Sequence, residues 1–271
     1  MALTPKTNID AMAAQAALTL SGQKKSITIQ RLSTGSRINT AKDDAAGLAI
    51  SDGMVSQVRA LTQARRNAND GISLAQTTES ALAGTTAQLQ RMRELIVAAQ
   101  NPEKSQNLAA IQEEISQNLA EINRTSTQTS FNNIAVLSGT QNSVTIEVGV
   151  TDGQAITLAL PKMDATTLGV DTLDVSSATT QDNLARIDSA ITQVNTLRAD
   201  LGAIQNRFAS ITANQDSVIN NTAAALSLVQ DADYAVETSD FSSASVLQQA
   251  GVAVLAQANQ QPQQLLKLLP K

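Results

Sequence analysis

The chain has 271 residues, of which 42% are hydrophobic but only 1% aromatic, and a formal net charge of −5. It contains neither cysteine nor histidine, which removes thiol nucleophiles, disulfides, imidazole bases and Cys/His metal sites together. The length allows one or two domains with a buried core, and the charge leaves no basic footprint for nucleic acid.

At the front of the chain Ile9, Met12, Ala16 and Leu20 recur at steps of three and four, the spacing of an amphipathic helix. The apolar run from Ala11 to Leu20 raises the question of a signal peptide. Gln15 and Thr19 interrupt it and Asp10 stands where positive charge leads into such a segment, so it reads as uncleaved helix. Gly35 supplies a loop conformation before the next element. Asn39 or Thr40 is expected to cap that element, with Asp43 and Asp44 in its first turn. Adjacent aspartates invite a metal or catalytic reading. Neighbours at i and i+1 point in different directions on a helix, however, and no further ligand accompanies the pair, so their role reads as structural.

Met54, Leu61, Ala68, Ala75, Leu82, Leu89 and Ile96 then fall at strict seven-residue spacing, with Val58 and Ile72 flanking. A heptad of that length predicts a long helix packed at a shallow angle on its partners. The pattern breaks at Asn101-Pro102, where Asn is expected to cap a second helix that opens with Pro. That helix runs through Leu108, Ile111, Ile115, Leu119 and Ile122 and fades in the polar stretch Thr125 to Ser130.

Beyond it the period changes to two. Val144, Ile146 and Val148 alternate with polar residues, as do Ile156, Leu158 and Leu160, with Thr151-Asp152-Gly153 between them. This predicts a β-hairpin over about 143–161. The Ser/Thr/Asp-rich stretch from Thr166 to Asn183 reads as loop. The heptad returns through Leu184, Ile187, Ile191, Val194, Leu201, Ile204, Phe208, Ile211 and Val218 to about Val229, with polar breaks at Arg198, Gln215 and Thr222. At ~1.5 Å rise per residue each long helix would extend roughly 70–85 Å.

An acidic connector is expected over Asp231 to Ser243, followed by a second terminal stripe: Leu247, Ala250, Val254, Ala258, Leu265 and Leu269. Its Gln/Asn richness is that of a polar-rimmed helix, because Leu and Val interleave at helical spacing. Pro262 should interrupt or kink it.

The layout is nearly palindromic and predicts a mainly α fold. A long antiparallel helical bundle, or coiled coil, spans 43–234 and carries the small hairpin. Residues 1–42 and 235–271 pair as a second helical domain, with the two apolar stripes side by side. Residues 1–66 hold nine Lys/Arg against four Asp/Glu, and the remainder holds ten against twenty, so opposite charge favours contact between the two portions or between neighbouring subunits. A solitary amphipathic helix is marginal in water. The terminal segments must therefore pack on each other or on neighbouring copies, which marks an assembly protein.

Particular blocks carry a family resemblance. Residues Gln30 to Asn39 (QRLSTGSRIN), Ala41 to Ile50 (AKDDAAGLAI), Asn67 to Ser73 (NANDGIS), Leu89 to Leu95 (LQRMREL) and Phe131-Asn132-Asn133 resemble the N-terminal region of bacterial flagellin. Leu247 to Gly251 (LQQAG) and Leu255 to Gln260 (LAQANQ) resemble its C-terminal region. The family's large variable outer domains have no room in this chain. The resemblance implies a structural subunit that self-assembles into the flagellar filament for swimming, with terminal helices lining an inner tube and the bundle forming an outer tube. It implies an extracellular protein exported uncleaved by the flagellar type III apparatus, an export chaperone at the C-terminal helix, and flagellar cap and hook-junction proteins as further partners. No enzyme activity, cofactor, nucleic acid or membrane insertion is expected. The alternatives are a hook–filament junction protein and a secreted host-receptor ligand.

Subunit assembly then falls to Ile9, Met12, Leu20, Leu247, Val254, Leu255 and Leu265. Arg31 and Arg37, with Lys42, form a basic patch toward acidic neighbours. The resemblance further maps a Toll-like receptor contact onto Arg91, Leu95 and Glu114, expected as an exposed trio, with an Arg91–Glu114 ion pair as the plainer reading.

Overall fold

The computed structural model describes residues 7–101, 107–175 and 180–266, without the side chains of 180 and 261–266. Its elements are α1 (Ile9–Thr34), α2 (Ala45–Ala99), α3 (Leu108–Gln128), β1 (Ser130–Phe131), β2 (Ile134–Ala135), β3 (Ser143–Glu147), β4 (Ala155–Ala159), α4 (Thr180–Gln230) and α5 (Tyr234–Leu266). They divide into two compact units, Gln57–Asn220 and the combination of Met1–Ser56 with Asn221–Lys271.

The 57–220 unit is built on the heptads. Leu61, Ala68, Ala75, Leu82, Leu89 and Ile96 are all buried along α2, and Ile187, Val194, Leu201 and Phe208 along α4. Polar contacts at the edges of this seam fix its direction. Arg93 donates to Asp188, Gln205 to Glu79 and Arg65 to Asp216, so residue numbers rise on α2 as they fall on α4. The two helices are antiparallel, as the nearly palindromic layout predicts. Helix α3 adds Ile111, Ile115 and Ile122 to the same core.

The hairpin β3–β4 pairs Ser143 with Ala159 through to Glu147 with Ala155. Its inward residues Ile156 and Leu158 are buried, and Phe208 packs with Ala68, Val148 and Ile156. The polar break at Gln215 has a purpose: its buried amide donates to the Val148 carbonyl and ties the hairpin to α4.

Several boundaries differ from the sequence expectation. Asn101 does not cap α3; the residue at that cap is Asn107, and Pro102 lies outside the described residues. The stretch after Ser130 holds a second ribbon, β1–β2, turned by Asn132 and Asn133 at φ 48 and 64. Two left-handed residues in a two-residue turn match the right-handed twist of the strands, and asparagine tolerates that conformation. The Ser/Thr/Asp-rich stretch is no loose loop over its described part. Leu168, Val170, Leu173 and Val175 are buried in the main core, because the apolar residues scattered among the polar ones all turn inward.

In the other unit α1 and α5 lie antiparallel. Gly35, at φ 71, ends α1 in the left-handed conformation and its N–H returns to the Arg31 carbonyl. The chain is then held by Arg37 N–H donating to the Gln230 carbonyl at 2.7 Å and Ala232 N–H donating to Gly35 at 2.9 Å. The expected acidic connector shrinks to three residues, because α5 already begins at Tyr234. Helix α5 also runs past Pro262 to Leu266.

The cap of α2 is neither Asn39 nor Thr40. Asp44 Oδ1 accepts from Gly47 N–H at 2.8 Å, while Asp43 closes the preceding turn by accepting from the Asn39 and Thr40 N–H groups and the Thr40 hydroxyl. The Thr40 hydroxyl, then the Thr40 and Asn39 N–H groups, hold the Asp43 carboxyl below its ordinary value. Both aspartates thus take part in folding the turn.

Candidate assembly surface

The seam between α1 and α5 is made of small residues. Ala14, Thr28, Ala244 and Ala258 are buried, and Leu18 packs against Gly251. Small side chains let two helices approach closely but leave little apolar area inside. Polar contacts supplement them: Lys24 with Asp240 at 3.0 Å, Lys25 with the Gln248 side chain at 3.0 Å, and Arg31 with Glu237 at 3.0 Å. Lys25 also stands over the Phe241 ring, 5.6 Å from its centre. The excess of positive charge in the first part of the chain meets acidic residues of the last part, as the uneven charge balance predicts.

The large apolar side chains face the other way. Ile9, Met12 and Leu20 are 67%, 62% and 66% exposed, and Leu247 and Val254 are 60% and 57% exposed. Ile27, Ile29, Val236, Val246 and Val252 are exposed as well. The two apolar stripes therefore do not lie against each other. The helices join through their small-residue faces, Ala258 of the C-terminal stripe among them, and the large residues Ile9, Met12, Leu20, Leu247 and Val254 point outward. Leu255 is half-buried, and the Leu265 side chain lies outside the described residues.

Arg31 and Arg37 are both engaged within the chain. Arg31 meets the buried Glu237 carboxylate, and Arg37 donates to the Val229 carbonyl at 2.7 Å. Lys42 is exposed in the same turn. On the other unit Arg91 joins Glu114 at 2.7 Å and Glu94 at 3.2 Å, and Glu114 chiefly, with Glu94, raises the guanidinium pKa further. Leu95 departs from the expected exposed trio. It is 6% exposed and belongs to the core, because it sits beside the heptad residue Ile96 on the face that meets α4 and α3. Sequence spacing placed it near Arg91 but missed which way the helix turns.

Among the described residues no helix is long and apolar enough to cross a membrane, and no group of three or more acidic side chains could hold a metal. Helices that keep small residues inside and large apolar residues outside present the kind of apolar surface that marks an interaction site. The fold and this surface define a self-associating structural protein.

Comparison with known proteins narrows the class. The model of the bacterial flagellin N-terminal helical region matches residues 6–142, and that of the C-terminal helical region matches residues 184–269. A flagellin of Xenorhabdus nematophila is 42% identical, covering 99% of this chain and all of that one. A flagellin of Bacillus subtilis is 42% identical over 89% of this chain and 91% of its own. The crystal structure of Bacillus cereus flagellin superposes with a TM-score of 0.50 at 27% identity, covering 55% of this chain and 88% of that one. The chain belongs to the flagellin family. It is a structural subunit of the bacterial flagellar filament, a self-assembling polymer for motility, and not an enzyme.

Proposed function

We propose that the outward stripes of α1 and α5 are the subunit contacts of the filament's inner wall, with the 57–220 unit forming the wall around it. The observation that carries this is the inverted burial of the helix pair: Ile9, Met12, Leu20, Leu247 and Val254 exposed, Ala14, Ala244 and Ala258 inside. Full burial of such a side chain contributes about 1.5–3 kcal/mol, and the part of each still exposed leaves roughly 1–2 kcal/mol to be gained. Contacts with successive copies are the way to realise that energy, and heterologous contacts that do not close give an open helical polymer. Arg31 and Arg37 serve this surface by holding the turn at its base, and Leu255 and Leu265 extend the C-terminal stripe.

The test is Leu247→Asp. Leu247 is 60% exposed, so in the free subunit a charge there can stay in water. In a dry contact between subunits the same carboxylate is severely unfavourable. The variant should keep the wild-type circular dichroism spectrum and fail to polymerise. Normal filaments from Leu247→Asp would remove the stripe from the interface.

The same reading includes export without cleavage through the flagellar type III apparatus, with a chaperone covering the exposed stripe of α5 beforehand, and contacts with the cap and hook-junction proteins at the filament ends. Identity of 42% to flagellins along nearly the whole chain supports a filament subunit over a hook–filament junction protein. For the surface at Arg91 and Glu114 we propose contact with a host Toll-like receptor, with Leu95 supporting it from beneath. The exposed, mutually oriented ion pair favours this, since guanidinium anchors dominate many interfaces.

A further inference from the structure

Pro262 lies inside α5, which runs from Tyr234 to Leu266. In an α-helix the N–H of residue i donates to the carbonyl of i−4, and proline has no N–H. The carbonyl deprived of its donor here is that of Ala258. Ala258 is 5% exposed, so water is a poor replacement, and an unpaired buried carbonyl is costly. The group that answers it comes from the far end of the sequence: Asn8 Nδ2 donates to the Ala258 carbonyl at 2.8 Å. The other half of the same carboxamide is also used. Asn8 Oδ1 accepts from Ala11 N–H at 3.0 Å and caps α1. One side chain thus satisfies an orphan donor at the start of α1 and an orphan acceptor within α5.

We propose that Asn8 sets the register of α1 against α5, with Pro262 creating the acceptor that it reads. The rest of the seam is poorly suited to that task. Ala14, Leu18, Ala244 and Gly251 make non-directional contacts that survive sliding. Lys24 and Asp240 are exposed, and Lys25 reaches the Gln248 side chain from the end of a long flexible chain that can follow a shift; such contacts contribute little to register. Near the turn, Arg31 and Glu237 fix one end of the pair. Asn8 and Ala258 fix the other. A slip of one helical turn, about 5.4 Å, would break both of the bonds at Ala258 and Arg31. Register matters because it lines up Ile9, Met12 and Leu20 with Val254 and Leu247 on the outward surface; this last step rests on the assembly reading.

The test is a double-mutant cycle in the full chain. Asn8→Ser keeps the cap, since serine caps as well as asparagine, but its hydroxyl is too short to reach Ala258. It should raise the critical concentration for polymerisation roughly tenfold, the worth of one hydrogen bond to a carbonyl left without another donor. In a Pro262→Ala background the N–H restored at 262 takes the Ala258 carbonyl, and the same change should cost less than about threefold. Equal penalties in both backgrounds, or none in the parent, would overturn the proposal.

A second readout does not need a polymer. The chain has no cysteine. A Cβ placed at Gly251 would stand 3.8 Å from that of Leu18, the separation a disulfide requires. In the Leu18→Cys, Gly251→Cys protein, cross-link yield should fall severalfold with Asn8→Ser and recover when Pro262→Ala is added. An unchanged yield contradicts the register role. If the parent chain makes no filaments, the assembly reading falls while this cross-link still decides the part played by Asn8.

Discussion

Asp44, Gly47 and Ile38 show how closely single residues are set at the start of α2. Asp44 caps the helix through Gly47 N–H, and a Cβ at 47 would come 2.5 Å from Asp44 Oδ2 and 2.6 Å from Ile38 Cδ1. Helix propensity alone says that Gly47→Ala should stabilise by about 1 kcal/mol. Asp44 is held by its bond to Gly47 N–H and Ile38 is 3% exposed, so overpacking, at about 1–3 kcal/mol, should win. Thermal unfolding of Gly47→Ala should show a lowered midpoint for the transition of the 1–56 and 221–271 unit; a raised one would mean that Ile38 yields. Sequence made Gly35 legible, because only a left-handed residue ends a helix in that way. It misassigned the cap, because Asn39, Thr40, Asp43 and Asp44 are all capping residues and only the three-dimensional turn decides among them.

At the scale of elements, the long helices and the β3–β4 hairpin were legible because their periods, seven and two, are imposed by burial on one face. The connectors were not. Phe131-Asn132-Asn133-Ile134 carries a turn signal, yet two-residue strands are too short to show alternation. In the segment after β4, Met163, Ala165, Leu168, Val170, Leu173 and Val175 are buried at alternating steps of two and three, a spacing that belongs to neither helix nor strand. That segment is pinned by Asp164, whose carboxylate meets Lys162 Nζ at 2.6 Å and Thr167 N–H at 3.0 Å. Burial alone pushes the Asp164 pKa up, but the Lys162 ammonium with the Thr167 hydroxyl and N–H brings it down to about 2 from 3.8. The folded value lies below the unfolded one, so this stabilisation is complete above pH about 4 and disappears as pH falls toward about 2. Asp164→Asn should flatten the acid limb of the melting temperature in that window. A variant whose acid limb parallels the parent's would assign the loss to other carboxylates.

For the molecule as a whole, assembly was legible in the order of residues alone, because neither terminal stripe has an apolar partner next to it along the chain. What the sequence could not say was which face of each helix meets the other. Both faces of α1 and α5 hold aliphatic residues, and the choice turns on size: alanine and glycine permit close approach, so the larger side chains are left for other copies. The account therefore stands or falls on polymerisation of the unmodified chain. Negative-stain electron microscopy of the concentrated full-length protein should show long, open helical filaments whose number rises steeply above a critical concentration. Monodisperse particles at every concentration, or closed rings of fixed size, would contradict it.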